Sequence, residues 1–233
     1  MQFRGVEIKC VTFDLDDTLW LCAPVVHNAE FVFFTWLEQI APDIASDFDI
    51  ATLMVHRRKF FSAFPQMAHD FSWLRRKWLE QLFEDYGVHS ERVEDAFNVY
   101  LNARNDITLF QGARGVLEKV SQRYCCGSIT NGNADVELVG IGEYFDFSIT
   151  AASAGAAKPS PVIFDAAVAA AGVNPEQILH IGDDPDRDMR GAAQAGMQTL
   201  WVNPQGARWK GKGKHRPGGE IRMISELERL LDS

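Results

Sequence analysis

Hydrophobic and polar positions divide the chain into two kinds of segment. From about Gly112 onward, short apolar runs alternate with stretches of helical periodicity, a pattern that is typical of βαβ units and predicts a parallel sheet with helices on its faces. The clearest predicted helix runs from Pro161 to Ala171, because Ser160 can cap its first turn and Gly172 can end it. The predicted strands of this part are 124–130, 147–150, 177–181 and 198–202.

Residues from about Trp20 to Asn105 follow a different pattern. Apolar side chains such as Ala29, Phe33 and Leu37 recur at helical spacing, and no segment shows the alternation of a strand. The further predicted helices lie around 53–64, around 71–86 and over 90–104. The chain is therefore predicted to be an α/β protein whose sheet is interrupted, after its first strand, by a helical insertion.

The first strand ends in three carboxylates. It begins at Val11, and Asp14, Asp16 and Asp17 follow its apolar residues. Open α/β sheets bind ligands beyond the carboxyl ends of their strands, so these acids are candidate site residues. Side chains alternate along a strand, which places Asp14 and Asp16 on one side and Asp17 on the other. The alternative interpretation is that the acids cap a turn.

Two later segments add groups that suit a phosphate. Thr130, Asn131 and Gly132 end a predicted strand and offer a hydroxyl donor and accessible backbone N–H groups. Lys158 follows along the chain, and its fixed cation would lower the repulsion between a phosphate and nearby carboxylates. Taken alone, each of these signals is also compatible with an ordinary turn and a surface lysine.

The segment Gly182 to Asp188 ends another apolar strand and carries four acids in the six residues after the glycine. Bringing these acids near Asp14 and Asp16 is costly unless a hard divalent cation with oxygen ligands binds between them. We therefore predict Mg²⁺ as the cofactor. Capping of a helix by Asp184 is the second interpretation of this segment, and both can hold because different acids would serve each.

The ordered motifs Asp-Leu-Asp-Asp-Thr-Leu, Thr-Asn-Gly-Asn, Lys-Pro and Gly-Asp-Asp-x-x-x-Asp, from Asp14 to Asp188, resemble those of the haloacid dehalogenase-like (HAD) hydrolase superfamily, whose members are mostly phosphatases. More narrowly, Ile129 to Val202 is similar to bacterial phosphatases of flavin mononucleotide and of 5-amino-6-(5-phosphoribitylamino)uracil, an intermediate of riboflavin synthesis. The resemblance implies a Rossmann-like parallel sheet core over residues 1–20 and 106–233. It also implies an all-helical cap over residues 21–105.

The resemblance also implies the roles of the site residues. Asp14 would be the nucleophile that forms an aspartyl-phosphate, and Asp16 would protonate the leaving alkoxide and later accept a proton from water. Mg²⁺ would be held by Asp14, the backbone carbonyl of Asp16 and Asp183, while Asp188 would act through water or by orienting Lys158. The phosphate-binding groups would be Thr130, Asn131, Gly132 and Lys158.

One residue bears on the choice of reaction within the superfamily. Its dehalogenases lack the second acid of the first motif, which is present here as Asp16, so we expect a phosphoric monoester hydrolase without dehalogenase activity. A phospho-accepting switch protein and a phosphomutase of the same fold are the alternatives. The large helical insertion disfavours the switch, because the receiver domains that gather similar residues are compact.

Basic residues of the helical insertion are candidate contacts for an anionic substrate, with a packed or solvated role as the alternative. These residues are Arg57, Arg58, Arg75, Arg76 and Lys77. Trp20, directly after the first motif, is a candidate for lining the site entrance.

Composition limits the partners. The net charge of −9 disfavours nucleic acid, and the basic stretch over 208–216 is predicted to be a solvated loop. The four cysteines lack metal-ligand spacing and are predicted to be reduced thiols. We find no membrane-spanning or secretory segment, so we expect a cytoplasmic monomer that acts on a small phosphorylated molecule.

Overall fold

A computed structural model describes residues 1–210 and 216–231 of the chain. The chain divides into two compact units. The first consists of Met1–Leu21, Thr108–Gly132 and Val136–Ser233, and the second consists of Cys22–Ile107 and Asn133–Asp135. All four cysteines are free thiols. Among the described residues, none of the helices combines the length and apolar character needed to cross a bilayer.

The first unit contains a six-stranded sheet in which every neighbouring pair is parallel. The strands are β3 (Cys10–Phe13), β4 (Cys125–Thr130), β5 (Phe147–Thr150), β6 (Ile178–Gly182), β7 (Gln198–Val202) and β8 (Gly219–Ile221), after a short antiparallel hairpin of β1 (Gln2–Phe3) and β2 (Val6–Glu7). The strand order is β5-β4-β3-β6-β7-β8, which confirms the predicted α/β fold with a Rossmann-like parallel sheet. Strand β3 is central and fully buried, as its continuous apolar sequence requires.

The second unit is helical. Its helices are α1 (Cys22–Ile40), α2 (Pro42–Asp47), α3 (Ile50–Ser62), α4 (Phe71–Asp85) and α5 (Arg92–Arg104). Buried aromatic side chains such as Phe33, Trp78 and Phe97 form its core, as helical periodicity predicted. Helix α3 begins earlier than predicted because Asp49 caps it and accepts a hydrogen bond from Thr52 N–H at 2.7 Å.

The helices of the first unit connect the strands. They are α6 (Ala113–Ser121), α7 (Val136–Val139), α8 (Ala151–Ala154), α9 (Pro161–Ala171), α10 (Gly191–Gln194) and α11 (Leu227–Leu231). Helix α9 has the predicted bounds: Ser160 accepts a hydrogen bond from Val162 N–H, and Gly172 ends the helix with a φ of 64°. Parallel pairing of β3 with β4 and with β6 brings the carboxyl ends of these three strands side by side, and the candidate site lies there.

Candidate active site

The candidate active site is built on the carboxyl end of β3. Backbone pairing with β6 continues past the strand, because Asp14 N–H donates to the carbonyl oxygen of Ile181 at 2.8 Å. The Asp14 carboxylate is buried; Thr18 Oγ1 donates to its Oδ2 at 3.0 Å, and Lys158 Nζ donates to its Oδ1 at 2.6 Å. The carboxylate is therefore fixed at both oxygens.

Lys158 is the central cation of the site. Its buried ammonium donates to Asp14 Oδ1 at 2.6 Å, to Asp188 Oδ1 at 2.7 Å and to the carbonyl oxygen of Ile129 at 2.7 Å. Three acceptors match the three donors of an ammonium group, so the side chain is fully satisfied. Lys158 therefore bridges residues from the ends of three elements, β3, β4 and the turn after β6.

The segment after β4 holds Lys158 by its backbone. Lys158 N–H donates to Asn131 Oδ1 at 2.6 Å, and Asn131 Nδ2 donates back to the Lys158 carbonyl at 3.0 Å. The buried Thr130 accepts a hydrogen bond from Gly132 N–H at 3.0 Å. Of the three predicted phosphate-binding residues of this segment, Asn131 thus contacts Lys158 directly, and its side chain positions the lysine.

Asp188 is buried and fully engaged. Its Oδ1 accepts from Lys158 and lies 3.1 Å from His180 Nε2, and its Oδ2 accepts from Asp184 N–H at 3.0 Å. His180 Nδ1 lies 3.0 Å from Thr12 Oγ1. Because a carboxylate can only accept, we assign the ring proton to Nε2 and the Thr12 hydroxyl as donor to Nδ1. A hydrogen-bonded chain therefore runs from the interior of the sheet to Lys158.

The acids of the turn after β6 have different roles. Asp184 Oδ1 accepts from the N–H groups of Asp186 and Arg187, both at 2.8 Å, so Asp184 caps the turn as one of the two interpretations predicted. Asp183 is held by its backbone, because Trp201 Nε1 donates to its carbonyl oxygen at 2.7 Å. This bond fixes the peptide that carries the Asp183 carboxylate.

Three acids come together at this point. Carboxylate oxygens of Asp14, Asp183 and Asp188 all lie within 4.8 Å of one another. Against the single ammonium of Lys158, these three carboxylates leave two negative charges in excess. A set of hard oxygen donors with that excess fits a divalent cation such as Mg²⁺, which binds through carboxylates and keeps its remaining positions for water and phosphate oxygens.

Asp16 lies outside this cluster of side chains. The turn between β3 and α1 folds back on itself, and Trp20 Nε1 donates to Asp16 Oδ1 at 2.9 Å. The indole of Trp20 is completely buried, so it does not line an entrance as its position in the sequence predicted. Asp16 is instead held by a side chain four residues further along the chain.

Comparison with known proteins places the chain in a family. The model of the haloacid dehalogenase-like hydrolases matches residues 8–196. A curated 5-amino-6-(5-phospho-D-ribitylamino)uracil phosphatase of Escherichia coli K12, YigB, is 32% identical over 231 residues, 97% of each chain. The chain belongs to the haloacid dehalogenase-like hydrolase family. The pyrimidine 5′-nucleotidase YjjG of the same organism is 28% identical, and the alignment covers 95% of this hydrolase and 96% of YjjG.

A solved structure carries a different functional name. The 2-haloacid dehalogenase from Pseudomonas syringae pv. Tomato DC3000 superposes with a TM-score of 0.88 at 37% identity, over 97% of this hydrolase and 98% of that chain. The family membership and the curated phosphatases confirm the predicted enzyme class, a phosphoric monoester hydrolase. The dehalogenase name makes the reaction type a question that the site residues must decide.

Burial and crowding control the charges of the hydrolase site. Burial raises the pKa of Asp14, with repulsion from Asp188 and Asp183 adding to it and Lys158 opposing it. Burial, together with repulsion from Asp188 and Asp17, raises the pKa of Asp183 to about 7. The acids that form the cluster therefore resist simultaneous ionisation in the absence of a cation.

The pKa values of Lys158, Asp188 and His180 show which of these three groups are charged. Burial disfavours the charge of Lys158, but the Asp14 and Asp188 carboxylates outweigh it and raise the pKa of the lysine. Burial likewise disfavours the charge of Asp188, yet Lys158 and His180 hold its pKa well below the usual range. Burial lowers the pKa of His180, so its imidazole is neutral at physiological pH. Lys158 and Asp188 thus form a permanent ion pair.

The raised pKa of Asp183 predicts that Asp183→Asn stabilises the metal-free hydrolase at pH 8. The pKa of this carboxyl group is about 7 in the folded protein, against an ordinary value of 3.8, so the folded state binds the proton more tightly. The wild-type protein therefore loses stability as pH rises from about 4 to about 7. Asparagine does not ionise, so the variant does not undergo this loss. We expect a gain of roughly 1–3 kcal/mol at pH 8, reduced by partial hydration, and little change at pH 4.5.

Urea unfolding with a chelator present measures this effect. Asp186→Asn is the matched control, because Asp186 is an exposed acid of the same turn that pairs with Arg190, and we expect no stabilisation from it. Equal free energies of unfolding for wild type and Asp183→Asn at pH 8 would show that burial and repulsion do not raise the pKa of Asp183.

Four of the five candidate basic residues of the helical unit pair with acidic side chains. Arg57 and Arg75 are buried, and both donate to Glu30, a buried partner that the sequence did not indicate. Arg75 also stacks on the ring of Tyr100, with 3.2 Å from its Cζ to the ring centroid. Arg76 pairs with Glu94 at 2.8 Å, Lys77 pairs with Glu80 at 2.7 Å, and Arg58 is exposed.

The predicted basic loop over 208–216 includes residues 211–215, which the structure does not describe. Lys212, Lys214 and His215 lie outside the described residues, whereas Lys210 and Arg216 at its two ends are exposed. Their exposure agrees with a solvated role.

Sequence reasoning missed the side chains that support the predicted residues. These are Thr18, His180 and Trp201, while Trp20 was predicted near the site but in a different role. His180 gave one usable signal, since a histidine inside an otherwise apolar strand must find partners for both ring nitrogens. Trp201 gave none, because an indole next to apolar residues is typical of a core position.

Proposed function

We propose that this hydrolase is a Mg²⁺-dependent phosphatase that removes the phosphate of a small metabolite through a phosphorylated Asp14. The observation that carries the proposal is the buried Asp14 carboxylate, fixed by Lys158 and Thr18 at the end of β3 and clustered with Asp183 and Asp188. A buried, oriented carboxylate beside a fixed ammonium is suited to attack on an electrophile that carries negative charge.

Mg²⁺ would be held by the carboxylates of Asp14 and Asp183 and by the backbone carbonyl of Asp16. When bound, it supplies positive charge that offsets the repulsion between the nucleophile and the phosphate. Asp188 has both oxygens engaged by Lys158, His180 and Asp184 N–H, which supports the role of orienting Lys158 over direct ligation.

The chemistry is two displacements at phosphorus. Asp14 forms a bond to phosphorus as the ester P–O bond breaks, and the departing oxygen takes a proton from Asp16. Water then attacks the phosphorus of the aspartyl-phosphate and gives a proton to Asp16, which releases phosphate and restores the Asp14 carboxylate. Lys158 remains on Asp14 Oδ1 and favours the added negative charge in both steps.

The substrate is proposed from the relatives. The likeness to YigB, which is named for 5-amino-6-(5-phospho-D-ribitylamino)uracil, supports this compound and flavin mononucleotide as first candidates, and the likeness to YjjG adds pyrimidine 5′-nucleotides. The predicted role of the helical unit as a substrate-selecting cap stays a prediction.

Dehalogenation of a 2-haloacid is the second candidate function. The name of the Pseudomonas syringae structure, at 37% identity, favours it. Asp16 favours the phosphatase, because a halide displaced from a 2-haloacid by an attacking carboxylate leaves as a stable anion without a proton, whereas the alkoxide released from a phosphate ester must be protonated. The anchored position of Asp16 beside Trp20 therefore supports phosphate chemistry.

The test is a release assay on one enzyme preparation, with phosphate and halide measured in parallel. The panel holds flavin mononucleotide, the ribitylaminouracil phosphate, pyrimidine nucleotides, sugar phosphates and 2-chloropropionate, each with Mg²⁺ and with a chelator. We expect metal-dependent phosphate release and no halide release. Chloride release at a rate comparable to that of phosphate would overturn the proposal, and a phosphorylated protein that keeps its phosphate for hours would indicate a switch.

A further inference from the structure

We propose that Trp20 is a positioning residue for proton transfer by Asp16, an inference that rests on the acid/base role of Asp16 in the proposed function. The indole N–H of Trp20 donates to Asp16 Oδ1 at 2.9 Å, and the ring is completely buried. An indole N–H is a donor only and cannot exchange the proton that Asp16 transfers. Its contribution must therefore be to the position and charge of the carboxyl group.

The backbone holds the indole in place. The turn after β3 closes with Leu19 N–H donating to Leu15 O at 2.8 Å, and Asp17 N–H donates to Trp20 O at 2.7 Å. Asp17 takes a positive φ of 64°, which reverses the chain direction. Phe110 N–H then anchors the turn by donating to Leu19 O at 2.8 Å. The indole is thus fixed on the same rigid turn that carries Asp16.

This anchor limits the freedom of the acid. The Asp16 side chain is only half-buried, and a partly exposed aspartate ordinarily samples several rotamers. The hydrogen bond from the indole to Oδ1 restricts the orientation of the carboxyl group. Proton transfer depends on short range and alignment, so a carboxyl group of fixed orientation raises the fraction of enzyme that can react.

The hydrogen bond also changes strength during the reaction. When the ester P–O bond breaks, its electron pair stays on the leaving oxygen, the proton moves there from the Asp16 carboxyl group, and Asp16 becomes a carboxylate. A hydrogen bond from a neutral donor to a carboxylate is stronger than one to a neutral carboxyl group. The indole N–H therefore stabilises the transition state of proton donation more than the ground state.

Trp20→Phe tests the inference through its dependence on the leaving group. The expected result is that kcat/KM for an alkyl phosphate such as a sugar phosphate falls about tenfold, because the acid is displaced. For p-nitrophenyl phosphate, whose leaving group departs as a stable anion without a proton, we expect a change of less than about twofold. The parameter kcat/KM is chosen because it reports the steps up to departure of the leaving group.

The ratio of the two kcat/KM values decides the outcome. It is measured on one preparation and is independent of the fraction of folded enzyme, so loss of stability does not change it. Trp20→Met is a second variant that fills the cavity without a donor. Equal losses on both substrates, or no loss on either, would overturn the positioning role.

Two further variants separate this inference from the proposed function. Asp16→Asn is expected to show a larger fall for the alkyl phosphate with the same sparing of p-nitrophenyl phosphate; a fall that ignores the leaving group would overturn the acid role of Asp16, and the Trp20 inference with it. Trp78→Phe is the matched control, because Trp78 is also buried and its indole donates to a side chain, His56 Nδ1, at 3.1 Å in the helical unit. We expect it to leave the ratio unchanged.

Discussion

Replacing Asp14 by asparagine is expected to lower kcat for phosphate release by at least ~10³-fold, because an amide cannot take the phosphoryl group. The change keeps the volume of the side chain, and the amide oxygen can still accept from Lys158 or Thr18. The measurement is steady-state phosphate release with Mg²⁺ on the best substrate of the panel, together with a melting curve that shows the variant to be folded.

The control for this prediction is Asp17→Asn, the same chemical change three residues away. Asp17 is exposed, and asparagine tolerates its positive φ of 64°. We expect Asp17→Asn to retain activity within about threefold, as a surface substitution outside the reacting groups should. Retention of more than a tenth of wild-type kcat by Asp14→Asn would show that another residue attacks phosphorus.

Lys158→Met is expected to lower the free energy of unfolding by about 3–5 kcal/mol and to remove activity. The substitution leaves the Asp14 and Asp188 carboxylates buried without their cation, and unpaired buried charge is among the most costly defects in a folded protein. Activity is lost because the phosphate and the Asp14 nucleophile then repel each other without compensation.

The stability effect of Lys158→Met has a defined pH window. The folded pKa of Lys158 is raised above 10.5, so its contribution is present below that value and lost as pH rises further. The folded pKa of Asp188 is lowered below 3.8, so its contribution is present above that value and lost as pH falls. Urea unfolding in a chelator should therefore show the largest difference between these limits and a smaller one under acid.

Lys77→Met is the control for the loss of a charged pair. Lys77 is exposed and pairs with Glu80 one helical turn away, so we expect a change below about 0.5 kcal/mol. If Lys158→Met destabilised the protein no more than Lys77→Met does, the buried ion pair would not hold the site together.

The sequence predicted the parts of the fold that depend on local patterns. Five strands and helix α9 are predicted because buried parallel strands are nearly continuous apolar runs and because Ser160, Pro161 and Gly172 mark both helix ends. Strand β8 was missed, since three residues that begin with glycine give no apolar run. The start of α5 at Arg92 instead of Ser90 shows the limit of periodicity at helix ends.

The candidate site was predictable to the extent that strand ends meet at one edge of a parallel sheet. That rule brings Asp14, Asp183 and Asp188 together without knowledge of side-chain positions, whereas Lys158, which follows no predicted strand directly, was assigned to the site from the family resemblance. The double hydrogen bond between Asn131 and the Lys158 backbone was not predictable, because it joins residues 27 positions apart whose geometry depends on two turns.

The same limit applies to the turn after the first motif. The bond from Trp20 to Asp16 depends on the left-handed conformation of Asp17, and aspartate adopts that conformation too seldom for the sequence to predict it. Alternation along a strand placed Asp16 beside Asp14, but the strand ends at Phe13, so that rule does not determine where the Asp16 side chain lies. Supporting residues depend on backbone turns that local patterns do not encode.

The most direct test of the phosphatase mechanism is to locate the phosphoryl group during turnover. Asp16→Asn is mixed with Mg²⁺ and p-nitrophenyl phosphate, a combination that needs no acid for phosphorylation but slows attack by water, and the reaction is quenched in acid for peptide mass spectrometry. We expect phosphate on the peptide that contains Asp14, and none when Asp14 is also replaced by asparagine. Phosphate on another residue, or turnover without any covalent phosphate, would contradict the mechanism.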